Sequence, residues 1–377
     1  MTAPRQGAEI ARWTAEPLAP DVERAVRRLA MTEDVVRVAV LPDVHLAQDV
    51  CVGVAVATEQ LLFPAAVGGD IGCGMAALRF DADNEFLTER RTVAHLMTRL
   101  YERIPINKHG PGAAPHWAGG DRLSHPALEK RSARDGRLQL GTLGRGNHFL
   151  EFQTDEAGAL WLMVHSGSRA MGQAIRAHHL KHAERAASGL AYLRADTAAG
   201  EAYLNDVAWA LAYAAGNRQA MVDAVADLLM AEFRVASLPE TLVACHHNLV
   251  TREAIGGRAL WVHRKGVISA RAGEPGLVPG SMGTASYHVA GRGCEAALCS
   301  SSHGAGRAMS RGLARRRISV QTLEKEMTHV WFDRRRARLL VDEAPSAYKD
   351  ITAVMRAQSA LTRIVRKLTP MLSFKGG

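Results

Sequence analysis

The chain has 377 residues, 47% of them apolar, with a net charge of +9 and a pI near 9.6. That content is enough to bury a large core, which excludes a disordered or fibrous protein, and no run approaches the roughly 20 apolar residues of a membrane helix. The five cysteines (Cys51, Cys73, Cys245, Cys294, Cys299) are too few and odd in number for a disulfide framework, and the arginine-rich basic surplus suits a polyanionic partner.

The start "MTAPRQGAEI" holds no apolar signal-peptide core, so the expected compartment is the cytoplasm, with no membrane partner. "DVERAVRRLAM" and, further on, "LTERRTVAHLMTRLYERI" repeat apolar residues every three or four positions and predict outer helices. Between them, residues 34–80 read as short strands: "VVRVAVL", "VCVGVAVAT" and "GMAALRF" are separated by "PDVH" and "VGGDIGCG". From about 173 to 235 the chain is dominated by Ala, Leu, Arg and His and predicts a helical pair or triplet. Strand-and-glycine texture returns at 241–312. Two helical stretches, about 314–328 and 344–369, precede the tail "LSFKGG". With no fixed-period repeat and no long linker, the reading is α+β and one domain over residues 1–377, carrying a mid-chain helical excursion.

Polar anomalies gather in the strand-and-glycine regions, where strand ends assemble sites. "LPDVH" offers Asp43 and His45, "GGDIGCG" Asp70 and Cys73, and "GRGNHFLEF" Asn147, His148 and Glu151. "MVHSGSR" offers His165 and Arg169, "ACHHNLV" His246, His247 and Asn248, and "SSSHGAGR" His303. A carboxylate, a thiolate and several imidazoles make a transition-metal set, whereas magnesium and calcium take oxygen; zinc, manganese, iron and cobalt remain open. His303, set among small residues that admit a ligand to the backbone, is open between metal ligand, general base, nucleophile and turn residue. "RAHHLKHAER" places His178 and His182 at the spacing of two zinc ligands, but its basic surroundings and lack of glycine read as a solvated helix face. The runs "ARRRISV" and "DRRRARLL" likewise read as exposed helix faces that add salt-sensitive affinity for nucleic acid.

Taken in order, "LPDVH", "AAVGGDIGCGM", "GTLGRGNHFLEF", "VHSGSR", "CHHN", "HRKG", "PGSMGTASYHV" and "SSSHGAGRAMSR" resemble the RtcB-type RNA ligases over residues 41–311, and "FKGG" resembles that family's C-terminus. The resemblance implies an RtcB-like fold of central mixed sheets and surrounding helices. It implies a GTP- and manganese-dependent ligase joining an RNA 3′-phosphate or 2′,3′-cyclic phosphate end to a 5′-hydroxyl. His303 would carry the guanylate as a phosphoramidate, with Asp43 orienting its imidazole. Two manganese ions would be bridged by Cys73, with Asp70, His148, His165 and His247 completing the shells; His247 is preferred over His246 because it directly precedes Asn248. GMP would be held by Asn147, Phe149, Glu151, Asn248, Ser281, Ala305, Gly306, Tyr348 and Lys375. Phosphates of broken RNA, whether tRNA or another structured RNA, would meet Arg169, Arg264, Lys265, Arg307 and Arg311.

After "LPDVH" the chain departs from the family. Ala47, Gln48 and Asp49 stand where a glycine-lysine-glycine segment is usual. The departure bears on RNA-end binding more than on guanylylation, and makes a divergent paralogue with its own RNA target the expectation. Two rival classes need fewer of these residues. A metal-dependent phosphodiesterase or phosphatase would not require the guanine-pocket residues, and an RNA-binding protein with a closed structural metal site would not require so many donors.

Overall fold

A computed structural model describes residues 7–110, 112–117, 119, 120 and 122–376. Two β-sheets organise them, as an α+β fold. The smaller sheet has five strands in the order Glu9–Arg12, Val35–His45, Val52–Thr58, Arg258–Lys265, Asn248–Ile255, antiparallel except for the first pair. That parallel pair needs a crossover, which the helix Pro20–Ala30 supplies. Pro20 opens the helix, Asp21 and Glu23 sit in its first turn, and Arg27 and Arg28 sit in its last. Its buried Val22, Val26 and Leu29 recur at helical spacing and pack on Val38, Val40, Val54 and Val56 of the sheet.

The larger sheet has seven strands in the order Ser237–His246, Gly74–Asp83, Ala159–Ser166, Phe149–Thr154, Thr362–Lys375, Ser286–Gly291, Pro275–Val278. Both of its faces are covered, so its central strands are largely apolar and alternation sorts residues between two cores. Ala76, Leu78, Phe80, Leu160, Leu162 and Val164 join one cluster with the helix Arg90–Arg103 and the end of the helix Ala198–Phe233; Met75, Ala77, Trp161 and Met163 join the other.

Two sequence expectations are corrected. The stretch expected to be helical over 344–369 contains the helix Ile351–Ala357 but then becomes the 14-residue strand Thr362–Lys375. Leu361, Ile364, Val365 and Leu368 have helical spacing, yet the segment fills the gap between Phe149–Thr154 and Ser286–Gly291, and pairing on both sides overrides the local pattern. In the mid-chain region, the helix Ala170–His179 is followed by the short strands Glu184–Arg185 and Ala191–Arg194. These pair with each other, and Ala191–Arg194 also pairs with Leu61–Leu62, before the single 36-residue helix Ala198–Phe233. The histidine pair at 178 and 182 therefore does not share a helix, since it ends at His179. Among the described residues no helix is long and apolar enough to cross a membrane.

Candidate active site and metal centre

The two sheets meet end to end where the chain leaves one for the other, at His247 between the strands Ser237–His246 and Asn248–Ile255. In the larger sheet Gly74 pairs with Ser166 and His246, and Phe149 with His165. This register brings Cys73, His148, His165 and His247 to one end of four neighbouring strands. In the smaller sheet, Pro42 lacks a donor and the ladder between Val35–His45 and Val52–Thr58 slips between Val40 and His45. The slip releases Asp43 toward the same place.

The donors form two sets that share a cysteine, Asp70–Cys73–His148 and Cys73–His165–His247, with the ligand atoms of each set within 4.8 Å of one another. Cys73 Sγ lies 3.4 Å from His148 Nε2 and 3.3 Å from His165 Nε2. His165 Nδ1 donates to the Asn147 carbonyl at 3.2 Å and His247 Nδ1 to the Asn248 side-chain oxygen at 3.2 Å. Both rings therefore turn an Nε2 lone pair inward, and the two nitrogens stand 3.0 Å apart. Facing lone pairs repel unless a cation lies between them. Burial adds to this by holding both imidazoles well below the usual histidine range, neutral and able to ligate. Asp70 Oδ1 is buried without a partner, which a metal would also satisfy. Burial alone would raise the Asp70 carboxyl, but the hydrogen bond from His148 carries it below its ordinary value. The residues present thus fit two cations of the transition series. His148 differs from the other two rings. Its Nδ1 faces the Arg169 guanidinium at 3.1 Å, so its Nε2 proton points at Asp70 Oδ2, 3.0 Å away, and metal binding there must displace that proton.

His303 follows the strand Ser300–Ser302 and stands beside this centre, its ring 4.5 Å from that of His247. Its Nδ1 donates to Asp43 Oδ2 at 2.7 Å and its backbone N–H reaches the same oxygen at 3.2 Å, so Nε2 is left with a free lone pair. Asp43 is fully buried. Glycines make the close approach possible: a Cβ on Gly306 (φ +73°) would lie 2.3 Å from the Asp43 carbonyl, and one on Gly266 (φ +62°) 3.0 Å from the His303 ring.

A cavity of about 330 Å³ opens in front of His303, within the range of small-molecule sites. Asn147, Phe149, Glu151, Asn248 and Ser281 line it, as do Ala305, Gly306, Tyr348 and Lys375. Burial pushes the Glu151 carboxyl up to about 8. At one end Lys375 Nζ meets Glu343 at 2.5 Å, the Tyr348 hydroxyl donates to the same carboxylate at 2.8 Å, and Arg307 lies over the Tyr348 ring. Glu343 escaped the sequence reading. Its only signal is the acidic pair Asp342–Glu343 in an arginine-rich stretch shortly before Tyr348. His45, which also lines the cavity, was noticed only as part of "LPDVH".

Of the five basic residues singled out for phosphate, Lys265, Arg307 and Arg311 line the cavity, and Arg169 sits behind His148. Arg264 is corrected: it is 1% exposed and held by Glu253, the Ser300 hydroxyl and the Leu298 carbonyl, so it braces the sheet and does not reach the cavity. Lys265 Nζ donates to the carbonyls of Gln48 and Val50, so the divergent segment is tied to a lysine of the cavity wall.

Fold and site together define a class: an α+β protein with a paired-metal donor centre next to a histidine–aspartate couple on the wall of a ligand-sized cavity. The chain matches the family described as "tRNA-splicing ligase RtcB" over residues 25–122 and 113–376. It is 36% identical over 405 residues to the RNA-splicing ligase RtcB of Escherichia coli, with 98% of each chain covered. It is 31% identical to that of Mycobacterium tuberculosis (89% of this chain, 96% of the relative) and 28% identical to the tRNA-splicing ligase RtcB of Archaeoglobus fulgidus (94% and 91%). The chain belongs to the RtcB family.

Proposed function

We propose that the protein is a GTP- and manganese-dependent RNA ligase. It joins RNA 3′-phosphate ends, including those from opened 2′,3′-cyclic phosphates, to 5′-hydroxyl ends in RNA repair or tRNA splicing. The observation that carries this reading is the His303–Asp43 pair, which aims an unprotonated Nε2 into a cavity bordered by two metal-donor sets. His303 Nε2 attacks the α-phosphate of GTP; the N–P bond forms as the bond to the β-phosphate oxygen breaks and pyrophosphate leaves. Asp43 keeps the Nδ1 proton in place and offsets the positive charge that the ring acquires. An oxygen of the RNA 3′-phosphate then takes the guanylate from His303, and the 5′-hydroxyl displaces GMP to form the new phosphodiester. Manganese held by Asp70, Cys73, His148, His165 and His247 would supply charge stabilisation for phosphate oxygens during these displacements.

Tyr348, Lys375 and Glu151 suit guanine recognition by stacking, donation to a ring oxygen and acceptance from ring N–H groups. Asn147, Phe149, Asn248, Ser281, Ala305 and Gly306 complete the nucleotide site. Lys265, Arg307, Arg311 and Arg169 are the cations nearest to incoming phosphates.

The test is incubation with manganese and radiolabelled GTP, comparing the wild type with His303→Ala. Acid-labile label retained on denatured wild type alone is the expected result. Absence of label, with the metals confirmed bound, would overturn the ligase mechanism in favour of a phosphodiesterase.

A further inference from the structure

The long helix Ala198–Phe233 is rich in alanine, yet it buries an arginine, Arg218, at 2% exposure. Among the described residues its guanidinium has no carboxylate as a hydrogen-bond partner. Nη1 donates to the Gly72 carbonyl at 3.0 Å and to the Ser166 carbonyl at 2.9 Å. Nη2 lies 3.2 Å from His246 Nδ1, and the same ring nitrogen lies 2.9 Å from the Gly72 carbonyl. A buried cation without a carboxylate is costly, and an apolar side chain of similar volume would fill the space at lower cost. Stability alone does not account for it.

The three residues it touches have one thing in common. Gly72 precedes Cys73, Ser166 follows His165, and His246 precedes His247, so one guanidinium contacts the chain neighbour of every donor in the Cys73–His165–His247 set. These neighbours come from three different strands or strand ends, and Arg218 is the group that touches all three from a fourth element. The adjacent Asn217 reinforces the hold, donating to the Ser166 hydroxyl at 3.0 Å. The Asp70–Cys73–His148 set shares only Cys73 with this arrangement.

We infer that Arg218 is a positioning residue for one of the two metal ions, holding the Cys73–His165–His247 donors in ligating geometry from behind. The inference rests on the metal reading given above. It is tested by titrating the purified full-length chain with Mn²⁺ alone, following free ion by electron paramagnetic resonance, and by recording the metal-free thermal melt. Wild type is expected to bind two ions. Arg218→Met is expected to weaken one of them by about 10–100-fold, the range for loss of an outer-shell partner, while the second is affected less. Arg218→Lys, which keeps the charge and one donor group, is expected to recover part of the loss.

Wild-type affinity for both ions in folded Arg218→Met would overturn the inference. So would an equal weakening of both ions that tracks a fall in metal-free stability, or failure of both variants to reach the native circular dichroism spectrum, because each marks Arg218 as a core residue only. A wild type that binds no manganese would instead refute the metal reading itself.

Discussion

At the scale of single residues, chemistry rests on which proton sits where. Asp43 accepts from His303 Nδ1, so Asp43→Asn would offer an amide that also supports the opposite tautomer, with Nε2 protonated and unable to attack. Guanylylation of Asp43→Asn is expected to fall by about 10²–10⁴-fold in single-turnover assays, with GTP affinity little changed. Glu151 makes a pH prediction. Burial lifts its carboxyl from 4.5 to about 8, so the folded state prefers the protonated form. That stabilising preference is fully present below pH 4.5 and is lost as the pH rises through about 8. Glu151→Gln is therefore expected to melt near the wild-type temperature at pH 5 and above it at pH 9, as read by thermal denaturation across that range. Most site residues were legible one by one because each is a donor or amide set beside glycine at a strand end. Arg264 and Lys265 show the limit. Successive strand residues point to opposite faces, and nothing in "HRKG" states which face is the cavity.

At the scale of elements, the site is held by close backbone packing. Gly72 has φ +76°, and a Cβ there would lie 2.9 Å from the Ala210 carbonyl and 3.0 Å from the Ala214 Cβ on the long helix. Gly72→Ala is expected to cost about 1–3 kcal/mol in denaturant unfolding, because it combines left-handed strain with a clash against a helix that cannot retreat. The same change should also weaken metal binding through Cys73. The helix Pro20–Ala30 and the Val-rich strands were readable from periodicity, since their local pattern and their final environment agree. Thr362–Lys375 was not, because its apolar residues repeat at helical spacing and only the vacancy between two existing strands makes it a strand. The short strands near residues 184–194 are too brief to leave a pattern of their own.

At the scale of the whole molecule, the metal-donor cluster joins the two sheets, drawing donors from the larger one and from the crossing point at His247. Ligands that bind only the folded state stabilise it by mass action, about 2.7 kcal/mol at a hundred times the dissociation constant. Removing metal with a chelator is accordingly expected to lower the melting temperature and added manganese to restore it, as followed by differential scanning fluorimetry. Cys73→Ala, which removes the donor common to both sets, should abolish that metal dependence.

By itself the sequence determined the α+β class, the family resemblance and the kinds of donor present, because motif residues and strand patterns are local. Tertiary structure alone decided that one cysteine lies within reach of both donor sets, that Lys375 is a buried partner of Glu343, and that Arg218 backs three donor loops. These follow from contacts between residues 28 to 146 positions apart, formed only when sheets pack and strands find their register.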